Sequence, residues 1–124
     1  MPEAHSAPDN EARDLTAFQK NILIVLSNGP RYGLAIKREL ESYYGTEVNH
    51  GRLYPNLDDL VTAGLVEKSK RDKRTNEYQL TADGRHLLRE RVQWELGKLG
   101  QTLQEIREAA EAQQDLAAIT MEGR

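Results

Sequence analysis

The sequence contains no cysteine, which excludes disulfides, thiolate zinc sites, a nucleophilic thiol and cysteine-based redox sensing. No run approaches the roughly 20 apolar residues needed to cross a bilayer, and the opening MPEAHSAPDNEARD lacks the apolar stretch of a signal peptide. A cytoplasmic protein with no membrane partner is expected. Neither a Gly-rich phosphate loop nor a nucleophile triad occurs, and His5, His50 and His86 stand at no metal-ligand spacing. The residues therefore point to no enzyme, no metal site and no cofactor.

An overall positive charge is missing too. The net charge is −3, which argues at first against nucleic acid, because phosphate binding is driven largely by Lys and Arg releasing counterions. Its distribution matters more: residues 1 to 14 sum to −3, residues 15 to 81 to +2 and residues 82 to 124 to −2. The middle segment is the candidate nucleic-acid surface.

What is present fits one compact core with an appendage, since 124 residues make about one ordinary domain. Residues 1–13 combine two prolines with small polar residues and read as a flexible arm. Thr16 and Gln19 stand at capping-box spacing, and Phe18, Ile22, Val25 and Leu26 recur at helical intervals up to Asn28-Gly29-Pro30. A first helix over about 16 to 28 follows. Leu34, Ile36 and Leu40 place a second helix over 32 to 44, stopped by Gly45, and Asn49 caps a third carrying Leu53, Leu57 and Leu60 until Gly64.

Leu65 to Lys70 and Glu77 to Leu80 then read as two strands around a basic loop. Three helices followed by such a wing make a winged helix-turn-helix over 14–82, mainly α with a small β-hairpin. From Thr81 a single helix is predicted to about residue 118, within a C-terminal segment, 83–124, that comprises a dimerisation helix and tail. In it Val92, Leu96, Leu99, Leu103, Ile106 and Ala110 alternate by four and three, the spacing of a coiled-coil seam. A helix of roughly 35 residues is about 50 Å long, too long for the winged domain to cover. The seam predicts a homodimer.

With Leu53, Leu57 and Leu60 facing the core, helical geometry turns Gly51, Arg52, Pro55, Asp58, Asp59 and Thr62 outward, with Tyr54 and Asn56 on the flanks. Asn49, His50, Gly51, Arg52, Tyr54 and Asn56 are the candidate DNA contacts of this recognition helix. Arg52 suits a bidentate contact to guanine, Asn56 one to adenine, and His50 or Tyr54 a phosphate. Pro55 forfeits one helical bond to the Gly51 carbonyl, so a kinked first turn is expected. Lys68, Lys70, Arg71, Lys73 and Arg74 supply the wing with cations for the sugar-phosphate backbone. The competing reading is a winged helix whose wing charges meet an acidic protein partner.

The phrase His50-Gly51-Arg52-Leu53-Tyr54-Pro55-Asn56-Leu57, running into Leu60 and Ala63-Gly64-Leu65-Val66, resembles the PadR-like family of transcriptional regulators. Tyr78-Gln79-Leu80-Thr81-Ala82-Asp83-Gly84 and Tyr32-Gly33-Leu34-Ala35-Ile36 also match that family's pattern, so that the likeness spans roughly residues 15 to 90. It implies a homodimeric, sequence-specific binder of pseudo-palindromic promoter DNA; occupying a promoter, in a stress response, is expected to repress transcription or, less often, to activate it. The departure is Asp58-Asp59, where relatives commonly carry basic or neutral residues. Arg outnumbers Lys 11 to 6 and acids exceed bases, a balance that suits a salt-rich cytosol. At multimolar salt six phosphate contacts would lose roughly seven powers of ten in affinity. Inorganic cations held by Asp58 and Asp59 at the DNA interface would blunt that loss.

Overall fold

The computed structural model describes residues 15–72 and 75–122, of which 117–122 as backbone; the expected N-terminal arm, 1–13, lies outside the described residues. Helix α1 (Ala17–Leu26) opens with the predicted capping box. The Gln19 N–H donates to Thr16 Oγ1 at 3.1 Å and the Thr16 N–H to Gln19 Oε1 at 3.2 Å, satisfying two end donors at once. Its face of Phe18, Ile22, Leu23 and Leu26 is buried. The helix stops at the Ser27 cap rather than at residue 28.

Strand β1 (Arg31–Tyr32) leads into α2 (Gly33–Tyr44), which ends on Gly45 in the left-handed conformation at φ 71° that only glycine adopts without cost. Helix α3 (His50–Thr62) starts from Asn49, whose Oδ1 accepts the Gly51 N–H, and runs on through Pro55. Leu53, Leu57 and Leu60 drive α3 onto Ile22, Leu26, Ile36 and Leu40 in one shared core. Truncating any of these leucines to Ala would cost about 2–5 kcal/mol.

Strands β2 (Val66–Lys70) and β3 (Asn76–Leu80) form the wing, in the register Val66 to Leu80, Lys68 to Tyr78 and Lys70 to Asn76. The sheet is larger than the predicted hairpin. Arg31 and Tyr32 pair antiparallel with Tyr78 and Glu77, giving three strands in the order β1-β3-β2. A two-residue strand just after a Gly-Pro turn is too short for any periodicity to reveal it.

Helix α4 (Ala82–Lys98) is pinned at its start. Thr81 Oγ1 accepts the Gly84 N–H at 2.9 Å and donates to the Gly64 carbonyl at 2.7 Å, while the Thr81 N–H donates to the Leu65 carbonyl at 3.1 Å. Gly84 lies so close under this turn that a Cβ would fall 2.0 Å from the Leu65 carbonyl oxygen. Leu87 and Leu88 are buried in the same core, which thus reaches six residues beyond residue 82.

The chain divides into two compact units after Arg91. The second holds the rest of α4 and helix α5 (Gly100–Glu122). One uninterrupted helix was the expectation; a bend at Leu99 separates the two instead. Helical bonds from Leu99 N–H to Glu95 and from Leu103 N–H to Leu99 carry the chain around it. Its physical cause is Gly97 and Gly100 on either side, each about 1 kcal/mol poorer than Ala in a helix. Among residues 92–116 of this unit none is buried. No helix among the described residues is long and apolar enough to cross a membrane.

Candidate nucleic-acid interface

The outward face of α3 is polar along its length. Gly51, Arg52, Pro55, Asp58 and Asp59 are exposed, and Tyr54 and Asn56 are half-buried on the flanks, as the helical spacing predicts. Tyr54 stacks on His50 with ring centroids 5.4 Å apart. Its ring also lies across the start of α2, where a Cβ on Gly33 would come within 2.5 Å of the Tyr54 hydroxyl. Gly33 is therefore part of what sets the pose of Tyr54.

Two of the predicted base readers are held by neighbouring helices. The Arg52 guanidinium sits 3.9 Å from the centroid of the Phe18 ring and 5.8 Å from that of Tyr44. Stacking of this kind uses the guanidinium face and leaves its in-plane N–H donors for other partners. Asn56 donates from Nδ2 to the Arg52 carbonyl at 2.7 Å and accepts at Oδ1 from Gln19 Nε2 at 3.0 Å. Neither contact to α1 was foreseen, because no local pattern couples residues 34 or more positions apart.

The wing adjoins this face. Lys68 Nζ lies 3.9 Å from Asp58 Oδ1, so a wing cation and a recognition-helix carboxylate border one another. Arg71 Nε is paired with Glu77 Oε1 at 3.1 Å, and Lys70 is exposed on β2. Lys73 and Arg74 lie outside the described residues. The turn is closed by the Arg71 N–H donating to the Thr75 carbonyl at 2.8 Å and by Asp72 Oδ1 accepting the Thr75 N–H at 2.9 Å. Surface pairs such as Lys68 with Asp58 are worth about 0–1 kcal/mol and exchange readily for phosphate.

An open groove runs between the first turn of α2, Tyr54 and the hairpin, lined by Tyr32, Leu34, Arg38, Asn76 and Tyr78 among others. Tyr32 and Arg38 carry no local signal of this role in the sequence; tertiary structure alone brings them beside the wing. Tyr78 is almost wholly buried, and loss of solvent pushes its hydroxyl above the usual tyrosine range, with the Asp58 carboxylate adding to the effect. Near the end of α2, Glu41 is held below the usual carboxylate range by the Lys37 ammonium 2.6 Å away, and by the N–H of Val48, in the loop before α3, which donates to it at 2.9 Å. That contact anchors the approach to Asn49. No cluster of three or more His, Cys, Asp or Glu placed to hold a metal occurs among the described residues.

A polar-faced third helix beside a cation-bearing hairpin defines a winged helix-turn-helix, the fold that presents its recognition helix to the major groove of DNA. The PadR-like transcriptional regulator profile matches residues 22–90, and the chain belongs to the PadR-like family; it is a DNA-binding transcriptional regulator. Halobacterium salinarum RosR, in the complex designated RosR-S1, is 60% identical with a TM-score of 0.74, over 88% of this chain and 98% of that one. RosR of the same organism grown from NaBr is 59% identical with a TM-score of 0.71, over 82% and 98% of the two chains. Bacillus subtilis PadR, solved with operator DNA, shares the fold at 22% identity and a TM-score of 0.54, over 61% of this chain and 46% of that one. No curated protein matches the sequence.

Proposed function

We propose that two copies of the chain join through their C-terminal helices and insert their α3 helices into successive major grooves of promoter DNA, about one helical turn apart. The observation that carries this reading is the adjacency of the outward α3 face and the wing, where Asp58 and Lys68 lie 3.9 Å apart. Arg52 and Asn56 read base edges, Asn49, His50, Gly51 and Tyr54 fix the register against bases and phosphates, and Lys68, Lys70, Arg71, Lys73 and Arg74 hold the flanking backbone. Val92, Leu96, Leu99, Leu103, Ile106 and Ala110 form the dimer contact. Of these, Val92, Leu96, Leu99 and Ile106 are each more than a third exposed in a single chain, which favours burial against a second copy. Occupancy of the promoter in the cytoplasm represses transcription in a stress response by blocking the basal machinery.

Asp58 and Asp59 give the interface an unusual salt behaviour. Inorganic cations bound between these carboxylates and the phosphates offset repulsion that would otherwise grow as DNA approaches. Mobility shifts with genomic fragments at several salt concentrations test the whole reading: a defined operator and a negative slope of log K against log salt are expected, and binding without sequence preference refutes it. In the same assay a D58A/D59A double variant becomes more salt-sensitive. An unchanged slope removes the cations from the account.

A further inference from the structure

The side chains of Gln19 and Asn56 form the middle of a hydrogen-bonded chain whose two ends are backbone groups. It runs from the Thr16 N–H to Gln19 Oε1 at 3.2 Å, from Gln19 Nε2 to Asn56 Oδ1 at 3.0 Å, and from Asn56 Nδ2 to the Arg52 carbonyl at 2.7 Å. A backbone N–H can only donate and a carbonyl can only accept. Both amides between them therefore have a single arrangement. Turning either one over would set two acceptors or two donors face to face, which in a half-buried position costs about 1–3 kcal/mol per unsatisfied group.

We infer that Gln19 of α1 is a specificity-determining residue that contacts no base: it fixes the amide polarity of Asn56 and thereby the base that Asn56 accepts. An asparagine reads adenine with its oxygen toward N6 and its nitrogen toward N7, and the order of the two matters. Here the oxygen is turned to the α1 side and the nitrogen to the Arg52 carbonyl, before any DNA arrives. The polarity read in the groove is thus set at the N-terminal cap of a helix outside it. This inference rests on Asn56 acting as a base reader, as proposed above.

Gln19→Glu isolates the effect. Glutamate is the usual third residue of a capping box, so the bond from the Thr16 N–H and the fold are retained. The second carboxylate oxygen, however, now faces Asn56 Oδ1 and favours the reversed amide. Gln19→Met removes both polar ends and frees the Asn56 amide to turn. Operator selection from randomised duplexes is run on the full-length wild type, Q19E, Q19M and N56A, with melting temperature and salt slope measured on each.

The expected result is a change of preference at one base pair per half-site, by roughly tenfold for Q19E, at the same position that N56A affects, with an unaltered salt slope. Q19M relaxes the preference there without reversing it. If N56A alters one position and Q19E alters none, the relay is wrong while Asn56 remains a reader. If N56A alters none, the reading of Asn56 fails and the relay with it. A uniform loss across all sequences makes Gln19 a purely structural tie and overturns the inference.

Discussion

The unit ending at Arg91 and the one beginning at Val92 obey opposite rules of burial. The first places Phe18, Ile22, Leu53, Tyr78, Leu88 and their neighbours in one core and leaves no buried side-chain polar atom unsatisfied among the described residues. The second is helical, yet Val92, Leu96, Leu99, Ile106 and Leu116 are exposed. In proteins most helical stability comes from packing of an apolar face rather than from propensity. One unit thus buries its apolar face within a single chain, and the other leaves its own exposed.

Cutting between the units tests that difference most severely. A chain ending at Arg91 should stay folded and sediment as a monomer, and its operator affinity should fall by about 10²–10⁴, the scale lost when two linked sites no longer bind together. A truncated chain that still sediments as a dimer would place the proposed dimer contact in the first unit instead. Next in size, Gly84→Ala strikes the first unit itself, because its methyl group would meet the Leu65 carbonyl oxygen at 2.0 Å. A loss of about 1–3 kcal/mol is expected in denaturant melts, and an unchanged midpoint would show that the α3–β2 turn yields.

Gly97→Ala and Gly100→Ala act on the other side of the comparison and with the opposite sign. Nothing lies within 4 Å of a Cβ at either position, so each should add about 1 kcal/mol of helix stability, read as raised helicity by circular dichroism. If helicity does not rise, the bend at Leu99 has a cause other than glycine.

The smallest effect is a pH dependence confined to the first unit. Tyr78 holds its proton more tightly in the folded chain than at its ordinary value of 10.0. The folded state therefore binds more protons than the unfolded one above that pH, and stability falls as pH climbs through the folded value. It is fully present below about 10. Tyr78→Phe should flatten that alkaline decline in melts across pH 9 to 11, and an unaltered profile would assign it to another group.

Local chemistry made most of the first unit legible. Thr16 with Gln19, Gly45 and Asn49 mark helix ends through bonds made within a few residues, and the leucine stripe of α3 announces its buried face by spacing alone. Contacts between distant segments were not legible. Pairing of Arg31-Tyr32 with β3, the guanidinium of Arg52 on Phe18, and the bond from Gln19 to Asn56 depend on how α1, α2 and α3 pack. The bend at Leu99 was missed for a different reason. A seam pattern counts apolar positions and ignores the glycines between them.

Gly84 has a meaning for the heredity of this chain as well as for its packing. Every missense change at a glycine codon adds a side chain, and here any added carbon is directed into the Leu65 carbonyl. Random mutagenesis followed by selection for loss of regulation should accordingly recover Gly84 alleles of many kinds. At Gly97, with open space around it, the same screen should recover few.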